Sequence, residues 1–524
     1  MNCSSKWVAN IVCSVFLSLL CLQISAQSNA NTLANPNANY IAPQFGDSKR
    51  AEKIKALAPV IEKMYKDFAI ANHFPGYAYG IVVDGELLLS GSGGFTDLEK
   101  QIPADTRSMF RIASMSKSLT AMAIVKLRDE GKLKLDDPVW MYIPEIKGQG
   151  LTKDASEITI RNLLTHGAGF PEDNPWGDRQ LADTDEDLIQ LIKKGISFSN
   201  ANGIAYEYSN LGFAMLGYII KKVTGIPYSD YIQNNIWKRL GMQASWEYSK
   251  VPSQQLAKGY RWLNNSWKEE ALLHDGIYGA MGGMITSIES FSKYVALHQS
   301  AWPPRNDAEN IILKRSSIRE MHQPWNFNSL NASFKYSDGR VCPTASAYGY
   351  GLRIARDCNN KLMVGHTGGL PGFGSNWNIL TDHGIGAMFF ANVTYASTAG
   401  MNTRVLDTLV KLAALEPRQL TASSILTQRK NELVKLLPHF NNAEKSGIFA
   451  DNFFQDYFTA SLKAEATAIF DKVGKIISVN ELIPENQLRG YFILNCERGK
   501  VKISFTLTPE NPGLIQEYHI SQWQ

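Results

Sequence analysis

The sequence predicts a mixed α/β protein: an antiparallel sheet flanked by helices and joined to a helical subdomain, followed by a small α+β domain at the C-terminus. Three observations predict it. A hairpin and a helix early in the chain are answered by further strands and a helix before Glu416, which builds one sheet from both ends with helices inserted between. The stretch from Asp137 to Leu297 carries mostly helical periodicity, broken by turn-rich loops at Gly167–Asp178 and Ser197–Asn210. A polar lapse around Glu416–Ser424, containing Pro417, sets all of this apart from a self-contained helix-then-strands segment.

At 524 residues the chain exceeds one compact core, so two domains are expected. An apolar fraction of 44% and a charged fraction of 19% exclude a disordered or collagen-like chain. A formal charge of +4, with no Lys/Arg block interleaved with aromatics, argues against a nucleic-acid partner.

Taken in order, Lys6 precedes an apolar run from Trp7 to Leu22 that ends in Ile24-Ser25-Ala26. The run is short for a membrane span and closes on small residues, so residues 1–26 read as a signal peptide cleaved near Ala26, and the mature protein as periplasmic or secreted without a transmembrane anchor. A retained anchor, or a lipoprotein through Cys21, is the alternative. Residues 27–45 form a polar, Asn/Ala-rich leader, 46–418 the large domain and 425–524 the small one. Arg50–Ala71 repeats apolar residues at helical spacing through Ile54, Leu57, Ile61 and Met64, with Pro59 kinking the helix or marking its first turn. Tyr77–Val83 and Glu86–Ser92 flank Asp84-Gly85, a hairpin signal. Ser114 opens a helix to Glu130 that Gly131 closes. Strands are expected at Tyr348–Ala355, Lys361–Gly365, Gly374–Leu380 and Gly384–Asn392, then a helix over Ser397–Leu415. Beyond the boundary, helices at Asn431–Leu437 and Ala443–Phe453 precede strands at Lys475–Leu482, Leu488–Cys496, Lys500–Thr508 and Leu514–Ile520.

Cleavage removes Cys3, Cys13 and Cys21 and leaves Cys342, Cys358 and Cys496. Cys342 and Cys358 either form a bridge worth about 3 kcal/mol in the loop-entropy model or remain two buried thiols. Cys496 reads as a small core residue. No Cys/His spacing suggests a metal site, and no cofactor is implied.

The chemistry concentrates at Ser114-Met115-Ser116-Lys117. A hydroxyl at a helix start and an amine three residues on share one face, one turn apart. Serine needs an adjacent proton acceptor, and lysine serves when burial and positive potential hold it partly neutral. The helix N-terminus supplies such potential and aims the Ser114 N–H at a developing oxyanion. A second Ser-x-x-Lys, Ser290–Lys293, lies in a helical run and reads as surface helix. The first is distinguished by company: Tyr208-Ser209-Asn210 is the only Tyr-x-Asn in the chain and His366-Thr367-Gly368 the only His-Thr-Gly.

With Phe110-Arg111-Ile112-Ala113 before Ser114 and Gly369 after Gly368, these stretches resemble the three motifs of class C-type β-lactamase-related serine hydrolases, the group that includes penicillin-binding-protein-like esterases and D-peptidases. The resemblance spans roughly residues 45–415, and Leu163–Gly167 and Gly282–Ser287 are similar to supporting pieces of the same family. It implies a β-lactamase/DD-peptidase-like fold in which Ser114 attacks a carbonyl to give an acyl-enzyme. Lys117 and Tyr208 share the proton transfers, His366 stands opposite them, and Asn210 donates to the substrate amide. By the same resemblance Thr367, Gly368 and Gly369 flank the substrate, the Gly369 N–H completing the oxyanion hole. Water is the acceptor, and the substrate a small molecule or peptide, with cell-wall fragments among the candidates. Which of Lys117 and Tyr208 is the base stays open.

The departure lies at His366, where enzymes that read a substrate carboxylate carry lysine. A mostly neutral histidine weakens carboxylate anchoring and shifts weight from β-lactamase toward esterase, amidase or D-peptidase chemistry. A silent envelope receptor binding muropeptides in the same cleft is the rival reading. Simpler roles compete at single positions: Ser114 as a helix cap, Tyr208 as a core aromatic, Asn210 as the cap of Leu211–Val223. His166, in a turn, reads as structural. Trp176 and Tyr278 line the pocket or merely pack. Specificity is assigned to the loops Gly169–Asp183 and Trp325–Ala347. The small domain is faintly similar to nuclear-transport-factor-2-type modules and is expected to be noncatalytic.

Overall fold

A computed structural model describes residues 40–309 and 312–523. The residues read as signal peptide, with Cys3, Cys13 and Cys21, and most of the leader lie outside the described residues. Among the described residues no helix is long and apolar enough to cross a membrane. The chain divides into a unit from Pro43 to Gln419 and a second from Leu420 onward.

The larger unit is organised by a nine-stranded sheet. Its strands are β1 (Gly76–Val83), β2 (Glu86–Asp97), β3 (Ile102–Pro103), β4 (Asn326–Asn331), β5 (Thr344–Tyr348), β6 (Arg353–Asp357), β7 (Leu362–Leu370), β8 (Phe373–Leu380) and β9 (Ile385–Ala391), in the order β3-β2-β1-β9-β8-β7-β6-β5-β4. β1 pairs antiparallel with β9, Tyr77 opposite Ala391, so both chain ends do share one sheet. Asp84 and Gly85 both take positive φ, 51° and 89°, the geometry of a tight hairpin turn that matches strand twist.

β1, β8 and β9 are buried on both faces. Alternation sorts their side chains into two cores. Tyr77, Tyr79, Ile81 and Val83 pack with Ile61, Tyr65, Phe389 and Val405, beneath α1 (Arg50–Ala56), α2 (Ala58–Ala71) and a C-terminal helix. Ala78 and Val82 belong to the opposite core with Phe110, Leu119, Phe291 and Phe390. That second core joins the sheet to the helical subdomain, which contains α3 (Ser116–Asp129), α4 (Asn210–Thr224) and α5 (Ile288–Ser300). The C-terminal helix, α6, spans Thr398–Leu412.

Several expectations need correction. The helix expected over Arg50–Ala71 breaks at Leu57, and Pro59 sits in the first turn of α2, where its missing N–H costs nothing. The single strand expected at Tyr348–Ala355 is the inner part of the β5–β6 hairpin, which turns through Gly349–Leu352. The presumed loop Trp325–Ala347 contains β4 and β5. Within the helical middle, Gly259–Leu263 and Ser266–Glu270 form a separate hairpin around Asn264-Asn265, both at positive φ. Cys342 and Cys358 are disulfide-bonded, closing the open end of the β5–β6 hairpin, and Cys496 is a buried free thiol.

The second unit holds α7 (Ser424–Leu436) and α8 (Thr459–Val473), followed by β10 (Ile476–Val479), β11 (Ile483–Pro484), β12 (Arg489–Cys496), β13 (Gly499–Leu507) and β14 (Ile515–Trp523). Three of the expected strand runs appear as β12, β13 and β14; the one expected over Lys475–Leu482 shortens to β10, and the helix expected at Asn431–Leu437 begins earlier, at Ser424. α8, one of its two long helices, was not anticipated, and Ala443–Phe453 forms only short turns.

Candidate active site

Ser114 lies in a one-turn 3-10 segment, Ala113–Met115, that leads into α3. Ala113 is held at φ 51°, a left-handed conformation costly for an L-residue. Two contacts fix that turn: Ser375 Oγ donates to the Ile112 carbonyl at 2.6 Å, and Ser116 Oγ accepts from the Met284 N–H at 3.1 Å. β7 presses on the same turn, and only glycine permits the approach, since a β-carbon at Gly368 would lie 2.2 Å from the Ile112 oxygen. Gly368 thus packs beneath Ser114 rather than facing the cleft.

Lys117 is fully buried. Its Nζ reaches Ser114 Oγ at 3.0 Å, Asn210 Oδ1 at 2.6 Å and the Met281 carbonyl at 3.0 Å. Burial is the largest influence on this amine and pushes its pKa down to about 7, against the pull of Asp178 and Asp173. A neutral amine has two hydrogens and one lone pair. Asn210 Oδ1 and the Met281 carbonyl accept the two hydrogens, which leaves the lone pair for the Ser114 O–H. Tyr208 stands beside Ser114, and burial raises its pKa, so the phenol stays protonated. Its ring centre lies 4.8 Å from Lys117 Nζ.

Tyr208 and Asn210 are placed by the start of α4. Ser209 caps this helix through Gly212 N–H, and the Asp173 carboxylate accepts from the N–H groups of Asn210 at 2.7 Å and Leu211 at 2.8 Å. A carboxylate at a helix N-terminus satisfies donors that have no partner within the helix. Asn210 is therefore not the cap. Its amide donates to Asn174 Oδ1 at 2.7 Å, which turns Oδ1 toward Lys117 and leaves that donor engaged inside the protein. His166, also at positive φ (56°), accepts the Ser209 N–H on Nδ1 at 3.1 Å, and its ring lies 4.3 Å from that of Tyr208.

His366 on β7 is buried, with Nδ1 at 2.5 Å from the Thr367 carbonyl and Nε2 at 2.7 Å from Tyr348 Oη. A carbonyl only accepts, so the network assigns the proton to Nδ1 and makes Nε2 the acceptor of the Tyr348 hydroxyl. Burial, with Arg353 and Lys117 nearby, lowers its pKa well below the usual range and keeps the ring neutral. Both nitrogens are engaged away from Ser114; the ring centre is 6.4 Å from that of Tyr208. Thr367 and Gly369 are partly exposed on the alternate face of β7.

The structure thus gathers Ser114, Lys117 and Asn210 into one hydrogen-bonded cluster, with Tyr208, His366 and β7 alongside. Sequence reasoning missed Asp173, Asn174, Tyr348, Arg353 and Tyr395. Asp173 and Asn174 fall in a loop flagged for specificity, where an Asp-Asn pair ahead of a helix was an available capping signal. Arg353 carried none, being one basic residue in a Gly/Tyr-rich stretch. It sits opposite Gly365, solvent-exposed, its guanidinium 5.4 Å from the Tyr208 ring centre. The other Ser-x-x-Lys is also different from expectation: Ser290 is buried, its hydroxyl accepting from Gln243 N–H, while the exposed Lys293 turns to the Gly241 carbonyl. Trp176 is exposed, Tyr278 is fully buried, and their rings meet edge to face at 6.0 Å.

Comparison with known proteins identifies the family and the fold. The Beta-lactamase family model matches residues 61–410. Protein flp of Staphylococcus aureus (strain N315) is 28% identical over 384 residues, 71% of this chain and 70% of that protein. Among solved structures, the octameric penicillin-binding protein homologue from Pyrococcus abyssi aligns with a TM-score of 0.55 at 22% identity, covering 88% of this chain and 99% of that one. A D-stereospecific amidohydrolase from Streptomyces sp. aligns at 0.52 and 23% identity, covering 68% and 98%. On the match across its larger unit, and with the fold to go with it, the chain belongs to the β-lactamase family of serine hydrolases.

Proposed function

We propose that the protein is an exported hydrolase that cleaves ester or amide bonds through an acyl-enzyme on Ser114. The carrying observation is the buried Lys117 amine 3.0 Å from Ser114 Oγ, with its other two partners both strict acceptors. In the first half-reaction Ser114 Oγ bonds to the carbonyl carbon while its proton passes to Lys117 Nζ. The oxyanion is met by the N–H groups of Ser114 and Gly369, each such donor being worth about 100 to 1,000-fold in rate. Collapse breaks the bond to the leaving group, which takes a proton through Tyr208, itself restored from Lys117. Water then attacks the ester, giving its proton to Lys117, and Ser114 is released with its hydrogen.

Lys117 is the base in this scheme, because burial favours its neutral form and equally favours the protonated phenol of Tyr208. Asn210 holds the lysine. His366 acts as a neutral prop for Tyr348.

The substrate class follows from Arg353. The sequence alone suggested that His366 removes the carboxylate anchor, yet an exposed guanidinium stands beside Tyr208 on the adjacent strand. A carboxylate-bearing leaving half behind a short acyl group, as in dipeptides with an N-terminal D-amino acid or in acidic amides, fits that cation. The D-stereospecific amidohydrolase among the structural relatives is consistent with this class. The unit from 425 to 524 is read as a noncatalytic accessory domain.

An activity-based test uses the mature protein with a fluorophosphonate and a fluorescent penicillin, followed by peptide mapping. Labelling of Ser114 is expected. Folded protein that reacts with neither reagent would instead support a silent receptor.

A further inference from the structure

The open face of β7 runs between two unlike ends. At one end Arg353 lies opposite Gly365; Thr367 and then Gly369 follow, and beyond Gly369 stands Tyr395. At about 3.3 Å per residue this face spans roughly 13 Å from Gly365 to Gly369. Tyr208, the proton donor proposed above, is at the Arg353 end. The leaving group must depart where its proton arrives, so the acyl half points the other way, toward Tyr395.

Tyr395 is built to be there. It adopts φ 53°, a conformation L-residues rarely take, and its N–H donates to the Phe373 carbonyl at 3.1 Å. Thr394 beside it accepts the Gly372 N–H at 2.7 Å and donates to Glu270 Oε1 at 3.2 Å, a carboxylate that Arg261 grips at 2.6 Å. The ring covers Gly369 so closely that a β-carbon there would lie 2.9 Å from it. Its hydroxyl then donates to Asp178 Oδ2 at 3.0 Å. Asp178 is 1% exposed, whereas Tyr395 is 42% exposed and presents a free flank. Asp178 follows Gly177, which packs against Asn210.

We propose that the hydrogen-bonded pair Tyr395–Asp178 is a bar across the acyl end of the cleft, making Tyr395 a specificity-determining residue that restricts the enzyme to short acyl groups. This rests on the Ser114 reading above. A chain of more than a few carbons extending past Gly369 meets the ring, and the ring cannot swing aside without breaking its bond to a buried carboxylate.

The test compares kcat/KM for 4-nitrophenyl acetate and octanoate in the full-length mature protein, with fluorophosphonate labelling of Ser114 followed in parallel. Wild type should prefer acetate. Tyr395→Ala should raise the octanoate-to-acetate ratio by about tenfold or more, the scale of lost exclusion of a few methylenes. Tyr395→Phe keeps the ring and loses its anchor, so it should shift the ratio the same way by less. Labelled protein in which neither variant moves the ratio would overturn the inference alone. Wild type without labelling would overturn the Ser114 reading and the inference with it.

Discussion

Replacing Lys117 with methionine should abolish turnover and also change how stability depends on pH. The amine ionises near 10.5 in the unfolded chain and is pushed down to about 7 in the fold. Between those values the unfolded chain binds more protons, so stability climbs with pH across this window and the group contributes no slope outside it. Three and a half pH units at about 1.4 kcal/mol each make the penalty below pH 7 about 5 kcal/mol. Methionine removes it. The substitution also strips donors from Asn210 Oδ1 and the Met281 carbonyl, at about 1–3 kcal/mol each. The two effects nearly cancel at pH 6; the first shrinks to about 2 kcal/mol by pH 9 and about 1 by pH 10, so wild type should gain on the variant by about 3 kcal/mol between pH 6 and pH 9. Urea midpoints of both proteins at pH 6, 7.5 and 9 measure this, since other titrating groups cancel in the difference. Parallel curves would refute the claim that Lys117 is held neutral by burial, and with it the assignment of the base. In wild type, kcat/KM should fall below about pH 7 as the amine protonates.

Three further outcomes follow from single contacts. Asp173→Ala leaves the first N–H groups of α4 without their carboxylate, so melting should show a loss of about 1–2 kcal/mol, and turnover should drop as Tyr208 and Asn210 lose their anchor. Arg353→Ala should raise KM for carboxylate-bearing substrates about tenfold or more, with a smaller effect on neutral esters; equal effects on both would count against an anion site. Cys342→Ser together with Cys358→Ser should lower stability by about 3 kcal/mol and make melting insensitive to reductant, whereas wild type shifts on reduction.

How much of this was legible in sequence divides along physical lines. Local signals held: Asp84-Gly85 turned the hairpin, Gly131 at φ 71° closed α3, and three of the four strand runs expected in the second unit stood in place as β12, β13 and β14. Ser114 and Lys117 were visible because i and i+3 on a helix must meet. Failures came where tertiary context decides. β5 and β6 read as one strand because the turn Gly349–Leu352 carries Tyr350 and Leu352, both buried, so its composition hides the reversal. α8 was missed although Leu462, Ala466, Phe470 and Val473 recur at helical spacing. Arg353 and Tyr395 had no motif, because they reach the site from neighbouring elements rather than from its own stretch of chain.

What unites the cluster is that burial pushes its titratable groups toward their uncharged forms. Desolvation lowers Lys117, His166 and His366 and raises Tyr208, Tyr348 and Asp178, each toward its uncharged form. The exposed cation beside them is Arg353, which cannot lose its proton at working pH. A buried site suits the proposed acyl transfer for a definite reason. The negative charge that develops on the carbonyl oxygen meets fixed N–H dipoles with little competing water, so each is worth more than in solvent. The positively charged Lys117 that forms at the same moment is stabilised by Asn210 Oδ1 and the Met281 carbonyl, already aligned on its hydrogens, and by Asp178 and Asp173 at longer range. The same burial that frees the lysine lone pair also makes its protonated form costly, so a proton taken from Ser114 is readily handed on through Tyr208 to the leaving group. An exposed lysine at this position, with its ordinary pKa, would remain charged and leave Ser114 unactivated.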